Sequence, residues 1–174
     1  GQAFTGEDVV FSITRAQQPT SNYAIYVDTI ERSVQVEPLV VDVITRVPDP
    51  ILPNKIASLM IMSRSWSEAH NATRPQNTRA REEMYTTRNT NGTGAFRLQT
   101  REPDVRTVMV RNTDWWGWSE PASRESNITE IIYRPISSDA TRIAALLSGE
   151  VDFVLDPPLQ DLNRLRSAPN IKVT

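Results

Sequence analysis

The chain has 174 residues, enough for one domain with a buried core. Its 19 Lys and Arg against 21 Asp and Glu give a net charge of -2, which argues against a dedicated nucleic-acid binder with its strong basic excess. The absence of cysteine excludes disulfides and thiolate metal sites, and no apolar run approaches the roughly 20 residues that span a bilayer.

The first element is a helix opening at Thr5-Gly6-Glu7-Asp8, where Thr5 and Asp8 have capping-box spacing. Val9, Val10, Ile13 and Ala16 give its apolar stripe, and Pro19 ends it. Two strands follow over 29–36 and 39–45, joined at Glu37-Pro38, with Ile30, Val34 and Val36 on one face of the first and Leu39, Val41 and Val43 on one face of the second. Pro48, Pro50 and Pro53 interrupt the backbone before a short helix over 54–59. Ser65 to Ala69 suits a helical turn, and 89–94 is a loop by composition. A second hairpin pairs 95–101 with 105–111 around Pro103-Asp104. An aromatic cluster at 114–118 and a loop over 119–127 lead to a strand over 127–136. Ser138-Asp139 start the clearest helix, with Ile143, Leu146 and Leu147 as its apolar stripe, Ala140 and Ala144 beside it, and Gly149 as its stop. A buried strand over 151–155, a helix carrying Leu159, Leu162 and Leu165 after Pro157-Pro158, and a strand stub over 171–173 complete a β-α-β-α-β run. That run predicts parallel pairing with a right-handed crossover, in a mixed α/β (α+β) unit.

A catalytic reading finds little material. His70 is the only histidine, and one histidine with no cysteine argues against a zinc site. A nucleophile–histidine–carboxylate arrangement has His70 alone to use. Asp152 and Asp156 match no calcium loop. Gly92-Thr93-Gly94 lacks the following Lys and Ser or Thr of a phosphate loop, so its glycines read as places of positive φ before a strand. Trp115-Trp116-Gly117-Trp118 can stack a planar ligand or cover a core edge. Between Arg64 and Arg111, nine Arg stand against five acids, a local excess that reads as a solvated surface or as a cationic rim for acidic solutes.

Four segments in order carry a family resemblance. Phe4-Thr5-Gly6-Glu7-Asp8-Val9-Val10-Phe11-Ser12 resembles the F-T-A-E-D-V-V-F-S helix start of peptide/nickel-type solute-binding proteins of bacterial ABC transporters, family 5. Asn91-Gly92-Thr93-Gly94-Ala95-Phe96 resembles their G-T-G-P-[FY] loop, and Arg111-Asn112-Thr113-Asp114-Trp115-Trp116-Gly117 their R-N-P-D-Y-W-G segment. Ala144-Ala145-Leu146-Leu147-Ser148-Gly149-Glu150-Val151-Asp152 resembles A-A-L-L-S-G-E-V-D. Ala95 and Thr113 depart from the pattern, standing where proline is common.

The resemblance implies a lobe of the type II periplasmic-binding-protein fold: a mixed sheet with flanking helices and β-hairpins. It implies one part of a two-lobed protein, 1–174 belonging to the first lobe, with the second lobe absent. It implies binding of a peptide or related small solute and delivery to an ABC permease and its ATPase. The setting would be periplasmic, or extracellular with a membrane anchor, and neither catalysis nor a cofactor is implied. Ser63, Arg64 and Trp66, with Gly92, Thr93 and Gly94, would line the cleft, Arg64 offering its planar fork to a ligand carboxylate. The isolated 174-residue chain is expected to bind solute weakly or not at all, because the resemblance puts many ligand contacts on the other lobe. A hydrolase using His70 or a carboxylate pair, and a sensor or chaperone-like module on the same fold, are the alternatives.

Overall fold

The computed structural model describes residues 2–120 and 126–174, so most of the loop expected over 119–127 lies outside the described residues. In chain order the elements are α1 (Gly6–Ala16), β1 (Ile30–Glu37), β2 (Val40–Thr45), α2 (Leu52–Ile56), α3 (Arg64–Ala69), α4 (Tyr85–Arg88), β3 (Phe96–Glu102), β4 (Arg106–Arg111), β5 (Glu130–Tyr133), α5 (Asp139–Ser148) and α6 (Leu162–Arg166). Single tight helical turns sit at Ala24–Tyr26, Thr78–Ala80, Trp116–Ser119 and Leu159–Asp161.

The capping box forms as its spacing predicts: the Asp8 carboxylate accepts the Thr5 N–H at 3.0 Å. α1 then lays Ile13 and Ala16 on the β1–β2 hairpin, where Val27 and Ile30 complete a fully buried cluster, with Val9, Val43, Leu52, Ile56 and Leu59 packed around it. Burying one such isoleucine stabilises the fold by about 1.5–3 kcal/mol. Asp49 closes the base of this unit. Its carboxylate accepts the Thr29 hydroxyl at 2.6 Å and the Lys55 ammonium at 3.0 Å, and these two, Thr29 first, hold it below the usual carboxylate range.

The alternation expected in β1 does not survive. A bulge between Ile30 and Arg32 interrupts the register with β2, so the faces beyond it exchange. Ser33 and Gln35 turn inward, half-buried, while Val34 and Val36 are 43% and 52% exposed.

The second sheet has the order β3-β4-β5 and is antiparallel throughout. Asp104 turns its hairpin with φ 60°, a conformation that Asp tolerates better than most residues. α5 is capped by Ser138, whose hydroxyl accepts the Thr141 N–H at 3.3 Å, and stopped by Gly149 at φ +77°, where a side chain would be strained. Its inward face carries Ile143 and Ala145, whereas Ala140 and Ala144 are exposed.

The terminal β-α-β-α-β run is overturned. Among the described residues no strand forms over 151–155 or 171–173, and no pairing is parallel. A strand exists only where a neighbour completes its ladder, and here Phe153 and Leu155 stand 77% and 62% exposed. Of the three leucines expected inside the following helix, Leu165 is buried and Leu159 is 83% exposed. No helix among the described residues is long and apolar enough to cross a membrane.

Candidate functional site

The residues expected at a cleft fall into two separate groups. The first is built around the start of α3. Ser63 caps this helix, its hydroxyl accepting the Trp66 N–H at 3.3 Å. Ser12 of α1 accepts the Met62 N–H at 2.8 Å, and Asp8 accepts the Arg64 N–H at 2.8 Å. One carboxylate thus serves the first turns of both α1 and α3 and fixes the angle between them.

Arg64 projects from this junction, half-exposed. Its Nε donates to Glu68 at 2.9 Å and its Nη1 to Glu7 at 3.2 Å. Glu68 first, then Glu7, raise its guanidinium above the ordinary arginine value. The fork is therefore already engaged by acids of the chain. Two open hollows flank it, of about 790 Å³ and about 460 Å³, and Glu7, Arg64 and Glu68 line both. The Arg64–Glu68 pair was legible as an i,i+4 spacing, whereas Glu7, 57 positions away, carried no local signal.

Trp66 lines neither hollow. Its ring lies 4.8 Å from His70 and 5.7 Å from Tyr85, and His70 stacks on Tyr85 at 4.2 Å. The His70 Nδ1 donates to the Trp66 carbonyl at 2.8 Å, occupying the nitrogen that a hydrolase would direct at a carboxylate. Among the described residues no group of three or more acids or histidines can hold a metal ion.

Gly92, Thr93 and Gly94 form the second group, on an exposed loop before β3. Neither glycine has positive φ, and a Cβ on either would meet nothing within 4 Å, so the expected backbone reason for glycine is absent. The loop is held instead by Asn112, which is 7% exposed. The Asn112 side chain donates to the Gly94 carbonyl at 3.0 Å, its N–H donates to Ala95 at 2.8 Å, and its carbonyl accepts the Trp118 indole N–H at 2.6 Å. Arg111 stacks on Trp118 at 3.8 Å from the ring centroid. Gly117 lets Trp115 fold over the turn, because a Cβ there would lie 2.3 Å from the Trp115 ring. Of the tryptophan cluster Trp116 alone is widely open, at 71%, so Trp115 and Trp118 serve the turn. No hydrogen bond or ion pair of the described residues joins this loop to α3. The arginine-rich stretch is partly neutralised, five of its nine arginines, Arg64, Arg74, Arg88, Arg97 and Arg106, standing in ion pairs.

The sequence profile of Bacterial extracellular solute-binding proteins, family 5 Middle, matches residues 1–174. No curated protein matches the chain by sequence. Among solved structures, a dipeptide binding protein from Pseudoalteromonas sp. SM9913 in complex with Met-Leu is similar at TM-score 0.72 and 19% identity, over 97% of this chain and 34% of that one. NikZ from Campylobacter jejuni in complex with Ni(L-His) is similar at 0.71 and 17%, over 96% and 31%. The periplasmic binding protein DppA from Helicobacter pylori in complex with the peptide STSA is similar at 0.65 and 22%, over 96% and 33%. The chain spans about a third of the length of these structures. The profile match along residues 1–174 and the common fold give one conclusion: the chain belongs to the bacterial extracellular solute-binding proteins, family 5.

Proposed function

We propose that the protein binds a small solute, a short peptide first among the classes, between this unit and a second lobe, and hands it to the permease of an ABC importer in the periplasm or outside the membrane. The observation that carries this reading is the family match along residues 1–174. The similar structures support the solute-binding half of the proposal and leave the solute open, since their ligands include a dipeptide, a nickel–histidine complex and a tetrapeptide on one fold.

Within this reading Ser63, Arg64 and Trp66, and the loop Gly92, Thr93 and Gly94, belong to the wall of a cleft. Arg64 meets a ligand carboxylate by exchanging one of its two acid partners, Glu7 or Glu68, for the ligand. Closure of two lobes then supplies the remaining contacts.

Isothermal titration of the intact protein with Met-Leu, with a tetrapeptide and with nickel–histidine tests the solute class. Micromolar binding of a peptide, weakened by Arg64→Ala, is expected. Binding of nickel–histidine alone would replace the peptide reading. The 174-residue chain by itself is expected to bind none of them, and micromolar peptide binding to it would remove the need for a second lobe.

A further inference from the structure

We propose that Asn91-Gly92 is a site of spontaneous covalent modification, at which the asparagine converts to isoaspartate and aspartate through a cyclic imide, with water as the only co-reactant. The chemistry uses residues of this chain alone and does not depend on solute binding.

The reaction has three requirements at one place. The asparagine side chain must be free to turn back on its own backbone. The amide nitrogen that follows must be held by nothing, and the residue carrying it must have no Cβ to block the approach. Of the ten asparagines in the sequence, Asn91 alone precedes glycine. Both residues are exposed and lie outside any helix or strand. Among the described residues no hydrogen bond engages the Asn91 side chain or the Gly92 N–H.

Other asparagines of the chain are held. The Asn89 side chain donates to the Tyr85 carbonyl at 2.9 Å, and the Asn77 side-chain oxygen accepts the Ala80 N–H at 3.1 Å. Asn112 is buried and donates to the Gly94 carbonyl. At Asn71 the attacking nitrogen would be that of Ala72, which is fully buried and donates to the Ser67 carbonyl at 2.7 Å.

The fold brackets the site without restraining it. Upstream, the Asn89 N–H donates to the Tyr85 carbonyl at 3.1 Å and closes α4. Downstream, Asn112 fastens Gly94 and Ala95. Between these anchors 90–93 is exposed and makes no hydrogen bond among the described residues. Gly92 has no positive φ, and a Cβ there would meet nothing within 4 Å, so the fold does not require glycine at 92. What glycine supplies there is an unhindered nitrogen.

The steps balance. The Gly92 nitrogen attacks Asn91 Cγ and closes a five-membered ring. The Cγ–Nδ2 bond breaks, and Nδ2 leaves as ammonia with the Gly92 proton. Water then opens the ring at either carbonyl. Opening at the Asn91 main-chain carbonyl gives isoaspartate, and opening at Cγ gives aspartate. Each product adds one negative charge, and isoaspartate adds one main-chain carbon between the two anchors.

Peptide mapping by mass spectrometry of the intact protein, aged in mildly alkaline buffer, tests the proposal. Asn91 is expected to gain one mass unit, with isoaspartate exceeding aspartate, at least about tenfold faster than Asn89 or Asn112, whose hydrogen bonds must first break. Gly92→Ala folds normally, because its Cβ meets open space, and slows conversion at Asn91 several-fold. A free peptide of residues 89–97 gives the unrestrained rate. Asn91 of the folded protein is expected to convert within about tenfold of that rate. Slower conversion than this would overturn the proposal, because the loop would then be held. So would a product that is aspartate alone, which is direct hydrolysis, or conversion at Asn89 as fast as at Asn91.

Discussion

The unit around α1 and the β1–β2 hairpin and the unit around β3–β4–β5 are held together by different means. The first has an apolar centre: Ile13, Ala16, Val27 and Ile30 are all below 5% exposed. Among the described residues of its three strands the second has Val108 as the one buried hydrophobe, at 8%, and it leans on a polar hub at Asn112 and on aromatic contacts at Trp115 and Trp118. An apolar centre is non-directional and tolerates sequence drift, whereas a hub of hydrogen bonds demands particular residues at particular places. That contrast fits the two segments of family resemblance in the second unit, Asn91-to-Phe96 and Arg111-to-Gly117, which the hub at Asn112 ties together.

Substitutions can sharpen or break this contrast. Ile30→Ala removes the largest fully buried side chain of the first unit and is expected to cost about 2–5 kcal/mol. Urea unfolding followed by tryptophan fluorescence, whose four reporters lie outside that core, shows whether the two units unfold together. Two separated transitions would make the units independent. Gly117→Ala forces a Cβ into the Trp115 ring and is expected to cost about 1–3 kcal/mol, with a changed near-ultraviolet aromatic signal. An unchanged signal would mean that Trp115 does not fold over the turn. Asp8→Ala removes an acceptor shared by two helix starts and is expected to cost about 1–2 kcal/mol, read as a shift in Tm.

The smallest expected effect is pH-dependent. Arg74, and next the Asn77 N–H, pull the Glu82 carboxyl down to about 2 from an ordinary 4.5. A carboxyl depressed by folding binds its proton more readily in the unfolded chain, so its contribution is complete above 4.5 and is lost as pH falls towards 2. Chemical denaturation between these limits is expected to show a shallower pH slope for Glu82→Gln than for the parent chain. Equal slopes would disconnect Glu82 from acid sensitivity.

Local pattern made part of the fold legible. The Thr5–Asp8 box, the two hairpins and the Ser138–Gly149 helix depend on neighbours within a few positions, and each stands where its spacing puts it. The β1 parity failed because a bulge is a pairing irregularity, invisible until β2 is alongside. The site was less legible. Arg64 sits between two hollows, yet its pairing with Glu7 crosses 57 positions, and Trp66 turned to His70 and Tyr85. The glycines of the Gly92–Gly94 loop hold no strained backbone, and Asn112, singled out only within a motif, fastens them.

The sequence by itself determined where α1 and α5 start and stop and which family the chain resembles, because caps, turn residues and short motifs act through neighbours in the chain. Tertiary structure alone decided which face of β1 is inward, whether 151–155 pairs, and which acids hold Arg64. Those outcomes depend on partners brought from far along the polypeptide, and periodicity carries no information about them.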